Sequence, residues 1–270
     1  MTTVLVPLDG TAVAERALVL ATNVSRRLSA DLVLVRSSWG SCDGEVSTYL
    51  ADVKKRFALD LATTRVTHRF AADAMHDVTL DHDDPVLVLA SHGRSGWGHA
   101  LLGSLSEEIL ARAGAPTFVV GPRTDRYDLD PVRPDGTLRR IGWCVDRSTD
   151  HAALEPFCAE WANRLGLDVE VLTVDAEDDR PISRFHAASE AQIDAAVEGL
   201  AAASVRAHGQ VLAELQPARK LADFATQHDL ALLLADKRSG TGLAREALGS
   251  TVMNLVHQSR CPVLFPPQRG

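Results

Sequence analysis

Aromatic residues are scarce in this chain, at 5% of its 270 positions. Proteins that grip unpaired bases along a strand need rings at intervals to stack on, so a single-strand nucleic-acid surface is not expected. A basic excess is missing too. Twenty-eight Lys and Arg stand against 36 Asp and Glu, a formal net charge of −8, and no basic run interrupts that balance. Nucleic acid is therefore not an expected partner. No apolar run approaches the ~20 residues needed to cross a bilayer. The N-terminus enters the strand-like run Val4–Leu8 with no basic segment and no long apolar segment before it. These features predict a cytoplasmic protein with no signal peptide and no membrane partner. Cys42, Cys144, Cys158 and Cys261 show no CxxC spacing and read as reduced, mostly buried thiols.

The common catalytic signatures are also lacking. There is no GxxxxGK[ST] phosphate loop and no GxSxG elbow. Gly96-Trp97-Gly98 has no third glycine and does not directly follow a strand, so it matches a dinucleotide fingerprint poorly. His68, His76, His82 and His92 have no HExxH or comparable spacing, and no metal site is expected. No Cys/His or Ser/His pairing argues for nucleophilic catalysis. An enzyme is not the expected reading.

What is present is a pattern written twice. Ala90-Ser91-His92-Gly93 is followed, after nine intervening residues, by Gly103-Ser104. Asp236-Lys237-Arg238-Ser239 is followed, after nine intervening residues, by Gly249-Ser250. Each copy follows an apolar run and precedes an amphipathic stretch and a second apolar run after a proline. With 46% hydrophobic residues, ample for packed cores, the repeat divides the chain into two domains, 1–122 and 137–270. The charged segment from Gly121 to Leu138, with Pro122, Pro131 and Pro134, reads as the linker.

Half one predicts strands at Val4–Leu8, Asp31–Val35, Arg65–Phe70, Val86–Leu89 and Pro116–Val120. Its helices are expected over Val13–Leu28, Thr48–Ala62, Ala72–Leu80 and Ser104–Ala113. Half two repeats the order, with strands at Ile141–Val145, Val169–Val174, Val211–Leu215, Leu230–Leu234 and Pro262–Phe265. Its helices are expected over Ala152–Leu165, Ser189–Ala207 and Ala218–Gln227, and after Ser250. The apolar runs are continuous rather than alternating, as buried parallel strands require. The fold class is α/β, with two tandem doubly wound domains. Such sheets bind ligands at the carboxyl ends of their strands, where the strand order reverses. Asp9 and the 90–104 loop both lie at carboxyl ends, so they can meet in one crevice.

Gly93 lets the backbone turn tightly or approach a ligand closely. Gly103 and Ser104 open a helix, whose free N–H groups and dipole suit a phosphate. Ser104 also begins a capping box with Glu107, and both readings stand. Asp9 can accept a hydrogen bond from an adenine amino group or a ribose hydroxyl, or cap the helix that follows it. Asp146 holds the equivalent place in half two. Arg94, Ser95 and His99 lie in the loop within reach of phosphates.

The combination of a strand ending Pro7-x-Asp9, the late glycine loop, Gly103-Ser104 and a closing Pro-apolar strand resembles the universal stress protein family over nearly the whole chain. The stretch from Ala90 to Ser104 is similar to its G-x-x-G-(nine)-G-[S/T] signature. The resemblance implies a five-stranded parallel sheet of order 3-2-1-4-5 with helices on both faces. It implies binding of ATP or another adenine nucleotide, with or without Mg. Pro7, Asp9 and Ser37 would line the adenine and ribose region, Ser37 standing where the family often has Val. Ala90, His92, Gly93, Arg94, Gly103 and Ser104 would form the phosphate and ribose side.

Ala90 departs from the family's first glycine. In half two, Asp236 and Ser239 replace both loop glycines, and a carboxylate facing phosphate is electrostatically unfavourable. Half one is therefore expected to bind and half two to be structural. Family members pair through their last strands, so the resemblance implies an intramolecular pseudo-dimer, with a homodimer as the next assembly. The implied role is a stress-response regulator acting on a regulatory protein partner of unknown identity. The alternatives are a nucleotide-independent protein-interaction module, or an enzyme, a weak ATPase or an adenylyl transferase on a similar fold.

Overall fold

The first half is organised around Val4, Leu5 and Val6, all fully buried in strand β1 (Thr2–Pro7). The computed structural model describes residues 1–91, 104–145, 151–175, 183–237 and 250–268. They form two units, the first of residues 1–122 with 267–270 and the second of residues 123–266.

In the first unit β1 pairs in parallel with β2 (Asp31–Ser37) on one side and β4 (Asp84–Ala90) on the other. β3 (Thr63–Thr67) lies outside β2, and β5 (Thr117–Val120) beside β4. The order is β3-β2-β1-β4-β5. The strand run Val86–Ala90 and Phe118–Val120 are buried, as expected of strands covered on both faces.

Four longer helices cover this sheet. α2 (Ala17–Leu28) lies over β1 and β4, and α3 (Asp43–Arg56) over β2 and β3. α4 (Ala71–Leu80) packs with α5 (Ser104–Arg112). A short helix, α1 (Ala12–Glu15), precedes α2.

The helix expected from Val13 to Leu28 is thus two helices that meet at Arg16. Thr11 caps α1, its hydroxyl accepting from the Ala14 N–H at 3.2 Å. α2 buries Ala17, Leu18, Leu20, Ala21 and Val24, and closes at Ser29 in a left-handed conformation (φ +50°).

The second unit repeats the plan with β6 (Arg140–Cys144), β7 (Asp168–Asp175), β8 (Ala207–Ala213), β9 (Leu232–Leu234) and β10 (Val263–Phe265). Its order is β8-β7-β6-β9-β10. Its helices are α6 (His151–Leu165), α7 (Ser183–Ala202), α8 (Pro217–Gln227) and α9 (Ser250–Gln258). Trp143 and Trp161 are fully buried in its core.

Two edge strands lie N-terminal to their expected places. β3 reads Thr-Thr-Arg-Val-Thr and has no fully buried residue, and β8 is exposed over much of its length, with Leu212 its one buried residue. Their positions follow register against a neighbour, Val33↔Thr63 and Val169↔Ala207. Hydrophobicity does not mark strands placed that way.

The segment after residue 122 belongs to the second unit. Arg126 donates to Asp229 Oδ1 at 3.1 Å, and Arg133 donates to Asp229 Oδ2 at 2.9 Å. Arg133 also reaches the His228 and Asp229 carbonyls at 2.7 and 2.8 Å. Among the described residues no helix is long and apolar enough to cross a membrane.

Candidate functional site

A cavity of about 410 Å³ opens at the carboxyl ends of β1, β2 and β4. This is where the strand order of the first unit reverses, between β1 and β4. The backbone explains the opening. Leu8 N–H donates to the Val35 carbonyl at 2.8 Å, so Leu8 turns toward β2. Pro7, one residue earlier, turns the other way and has no N–H to offer β4. Pairing of β1 with β4 ends at Leu5↔Leu87, and the strands part beyond it.

Pro7, Asp9, Ser37 and Ala90 all line this cavity. Four residues expected at one site therefore line one cavity. The Asp9 carboxylate is neither cap nor idle. Its Oδ1 accepts from Thr11 N–H at 2.8 Å and from Thr11 Oγ1 at 2.7 Å, while Thr11 itself caps α1. Ser37 Oγ donates to the Arg69 carbonyl at 2.5 Å and accepts from Trp39 N–H at 3.1 Å, so its hydroxyl joins the ends of β2 and β3. Ala90 is buried at the end of β4, opposite Val120.

His92, Gly93, Arg94 and Gly103 lie outside the described residues, as does the side chain of Ser104. The backbone of Ser104 opens α5. Ser106, two residues on, is buried, lines the cavity and donates through Oγ to the Ala90 carbonyl at 3.0 Å. The two ends of the glycine-bearing segment are thereby held together beside the cavity.

The cavity also draws in residues that sequence did not single out: Arg36, Trp39, Phe70 and Met75. The Arg36 guanidinium lies 4.3 Å from the centre of the Tyr49 ring. The Tyr49 hydroxyl donates to Glu15 Oε1 at 3.0 Å. Arg56 grips both oxygens of the buried Glu15 at 2.7 and 2.8 Å. The Arg56 bonds hold the Glu15 carboxyl below its usual range, against the opposing effect of burial. Burial, followed by the bond to Glu15, pushes the Tyr49 hydroxyl well above its ordinary value. Tyr49 is thus a fixed neutral donor, and Arg36 is a permanent cation on the cavity wall opposite Asp9 in charge.

The lining suits a small ligand with one flat apolar part and one polar part. Val35, Leu89, Ala71, Ala74 and Met75 are apolar, and Asp9 and Arg36 supply charge. The volume falls within the range of small-molecule sites, about 300–1,000 Å³. In the second unit Asp236 and the buried Lys237 follow β9, and Asp236 is the counterpart of Ala90. Asp146, Arg238, Ser239 and Gly249 lie outside the described residues.

Comparison with known proteins agrees with this architecture. A universal stress protein of Mycobacterium tuberculosis is 27% identical over 201 residues, covering 71% of this chain and 64% of that relative. A counterpart in Mycobacterium bovis matches equally. The match therefore spans less than two thirds of those relatives' length. Among solved structures, a universal stress protein from Archaeoglobus fulgidus superposes with a TM-score of 0.65 at 14% identity, covering 98% of this chain and 96% of that one. A functionally unknown protein from Pseudomonas aeruginosa gives 0.62 at 15% identity, covering 98% and 92%. At such identities these two show the fold alone. The model of the universal stress protein family matches twice, over residues 1–121 and 137–265, and the chain belongs to that family.

Proposed function

We propose that this chain binds an adenine nucleotide in its first half and acts through that binding as a stress-response regulator. The observation that carries the reading is the cavity at the β1–β4 switch point. It is walled by Pro7, Asp9 and Ala90 and adjoins both ends of the segment that holds Gly93 and Gly103. Its apolar lining suits a base, and Asp9 suits a hydroxyl or amino donor. The start of α5 carries N–H groups without helical partners, which suit phosphate oxygens. His92, Gly93, Arg94, Gly103 and Ser104 are the residues assigned to the phosphates, with Mg as an optional counter-ion.

When bound, ATP supplies a polyanion, and its charge is the signal. Arg94 and the α5 N-terminus respond to that charge, and a regulatory partner reads the resulting surface. No group here is assigned as a nucleophile or general base, so binding rather than turnover is the proposed activity. In the second half Asp236 stands where Ala90 stands in the first, and its negative charge opposes phosphate. That half is assigned a structural role.

The test is mass spectrometry of small molecules released from the denatured, purified protein, followed by calorimetric titration with ATP. About one nucleotide per chain is expected. Gly103→Val should abolish binding, and Gly249→Val should leave it intact. Equal losses from both would overturn the one-active-half assignment. The absence of nucleotide, with no heat at millimolar ATP, would overturn nucleotide binding and favour an interaction module.

A further inference from the structure

Among the described residues most large aromatic side chains are at least partly buried. Trp143, Trp161, Phe118 and Phe265 are fully so. Among the described residues two Phe or Trp rings stand out to solvent, Trp39 at 69% exposure and Phe70 at 49%. Both line the same cavity, from two different loops. Apolar rings left in water cost free energy that burial would recover. Two of them at one mouth therefore ask for a ligand.

Their backbones are fixed in advance. Trp39 lies in a turn closed by Ser41 N–H donating to the Ser38 carbonyl at 2.8 Å, with Gly40 at φ +77°. Ser38 N–H in turn donates to the Thr67 carbonyl at 2.8 Å. Phe70 is the residue that caps α4, and its carbonyl accepts from Ala74 N–H at 2.9 Å. The Ser37 hydroxyl joins the two loops, accepting from Trp39 N–H and donating to the carbonyl of Arg69, next to Phe70. Little backbone order remains to be created on binding.

We propose that Trp39 and Phe70 form an aromatic clamp that stacks on the nucleotide's base. The assignment rests on the nucleotide reading above and adds to it the residues that hold the base. The same cavity is lined by the aliphatic and thioether side chains of Val35, Leu89 and Met75, and the charged groups Asp9 and Arg36 also border it. A flat base between the rings, with its sugar toward Asp9, matches that division. A ring face carries no donor or acceptor pattern, so the clamp gives affinity and leaves base identity to the polar groups.

The test compares ATP titrations of the full chain and its Trp39→Leu, Phe70→Leu and Trp39→Phe variants by calorimetry. The leucine variants should each weaken ATP binding roughly 5- to 150-fold, as loss of one base–ring stack does. Trp39→Phe should stay within about threefold, because a ring face remains. Tryptophan emission should change on adding ATP to the native chain, and that change should shrink in Trp39→Phe while the heat persists. Both side chains are exposed, so folding is not at stake, and circular dichroism of each variant verifies it. Native affinity in both leucine variants would overturn the clamp and leave nucleotide binding standing. No ATP binding by the native chain would overturn both.

Discussion

Replacing Gly10 with Ala tests the backbone beside the cavity-lining residues Asp9 and Arg36. Gly10 follows Asp9 at φ +91°, and a Cβ there would lie 2.8 Å from Arg36 Nη2, 3.0 Å from Nη1 and 3.1 Å from Cζ. Two costs follow. An L-residue in the left-handed region loses about 1–2 kcal/mol. The guanidinium must also retreat by more than half an ångström, which disturbs its stack on Tyr49, worth about 0.5–1 kcal/mol at a partly exposed site. The first unit should lose about 1.5–3 kcal/mol altogether. Native-state hydrogen exchange at β1 amides reads that loss locally, independently of the second unit. In an Arg36→Ala background the clash is gone and the backbone strain remains, so the same change should cost only about 1–2 kcal/mol. Equal costs in the two backgrounds would refute the contact with Arg36. A loss below about 0.5 kcal/mol in the native background would refute the strain argument.

Glu15 supplies a pH test. Its folded pKa lies below the ordinary 4.5, so its contribution is present above pH 4.5 and lost as pH falls through the depressed value. Glu15→Gln should accordingly flatten the acid limb of the first unit's stability curve, measured by hydrogen exchange from pH 3 to 6; an unchanged limb would refute the linkage. Asp229→Ala should cost the second unit about 1–2 kcal/mol, for the lost pairs with Arg126 and Arg133. It should also speed tryptic cleavage after those arginines, and native cleavage rates would show that the segment is held otherwise. Thiol titration of the native protein at pH 8 should find one reactive group, the exposed Cys42. Burial pushes Cys261 up to about 11 and Cys144 and Cys158 higher still, so they should react only after denaturation.

Much of the fold is legible in the sequence because its central strands are buried on both faces. Val4–Val6 and Val86–Leu89 must be continuous apolar runs, and such runs mark themselves. The edge strands do not. β3 is polar, and what makes it a strand is pairing with β2, a neighbour 30 residues away in register at Val33↔Thr63. The break between α1 and α2 is equally silent, since the apolar face continues through it. At the site, Asp9 is marked by ending a strand and Ala90 by opening the repeated motif, while Pro7 and Ser37 are picked out only by the family resemblance. Arg36, Trp39 and Phe70 carry no signal of their own, because a lone arginine or aromatic beside a turn is ordinary surface until something faces it.

Sequence by itself determined the two-fold repeat, the parallel α/β class, the asymmetry between Ala90 and Asp236, and which strand ends carry candidate ligand-binding residues. Each of these is a local property of residue type and spacing. Tertiary structure alone decided what those residues meet. Reversal of strand order between β1 and β4 opens the cavity, the Ser37 hydroxyl brings Trp39 and Phe70 to one mouth, and Ser106 ties α5 to the end of β4. The Ser37–Arg69 and Ser106–Ala90 contacts join segments 32 and 16 residues apart, and only the packing of helices on paired strands fixes their distances.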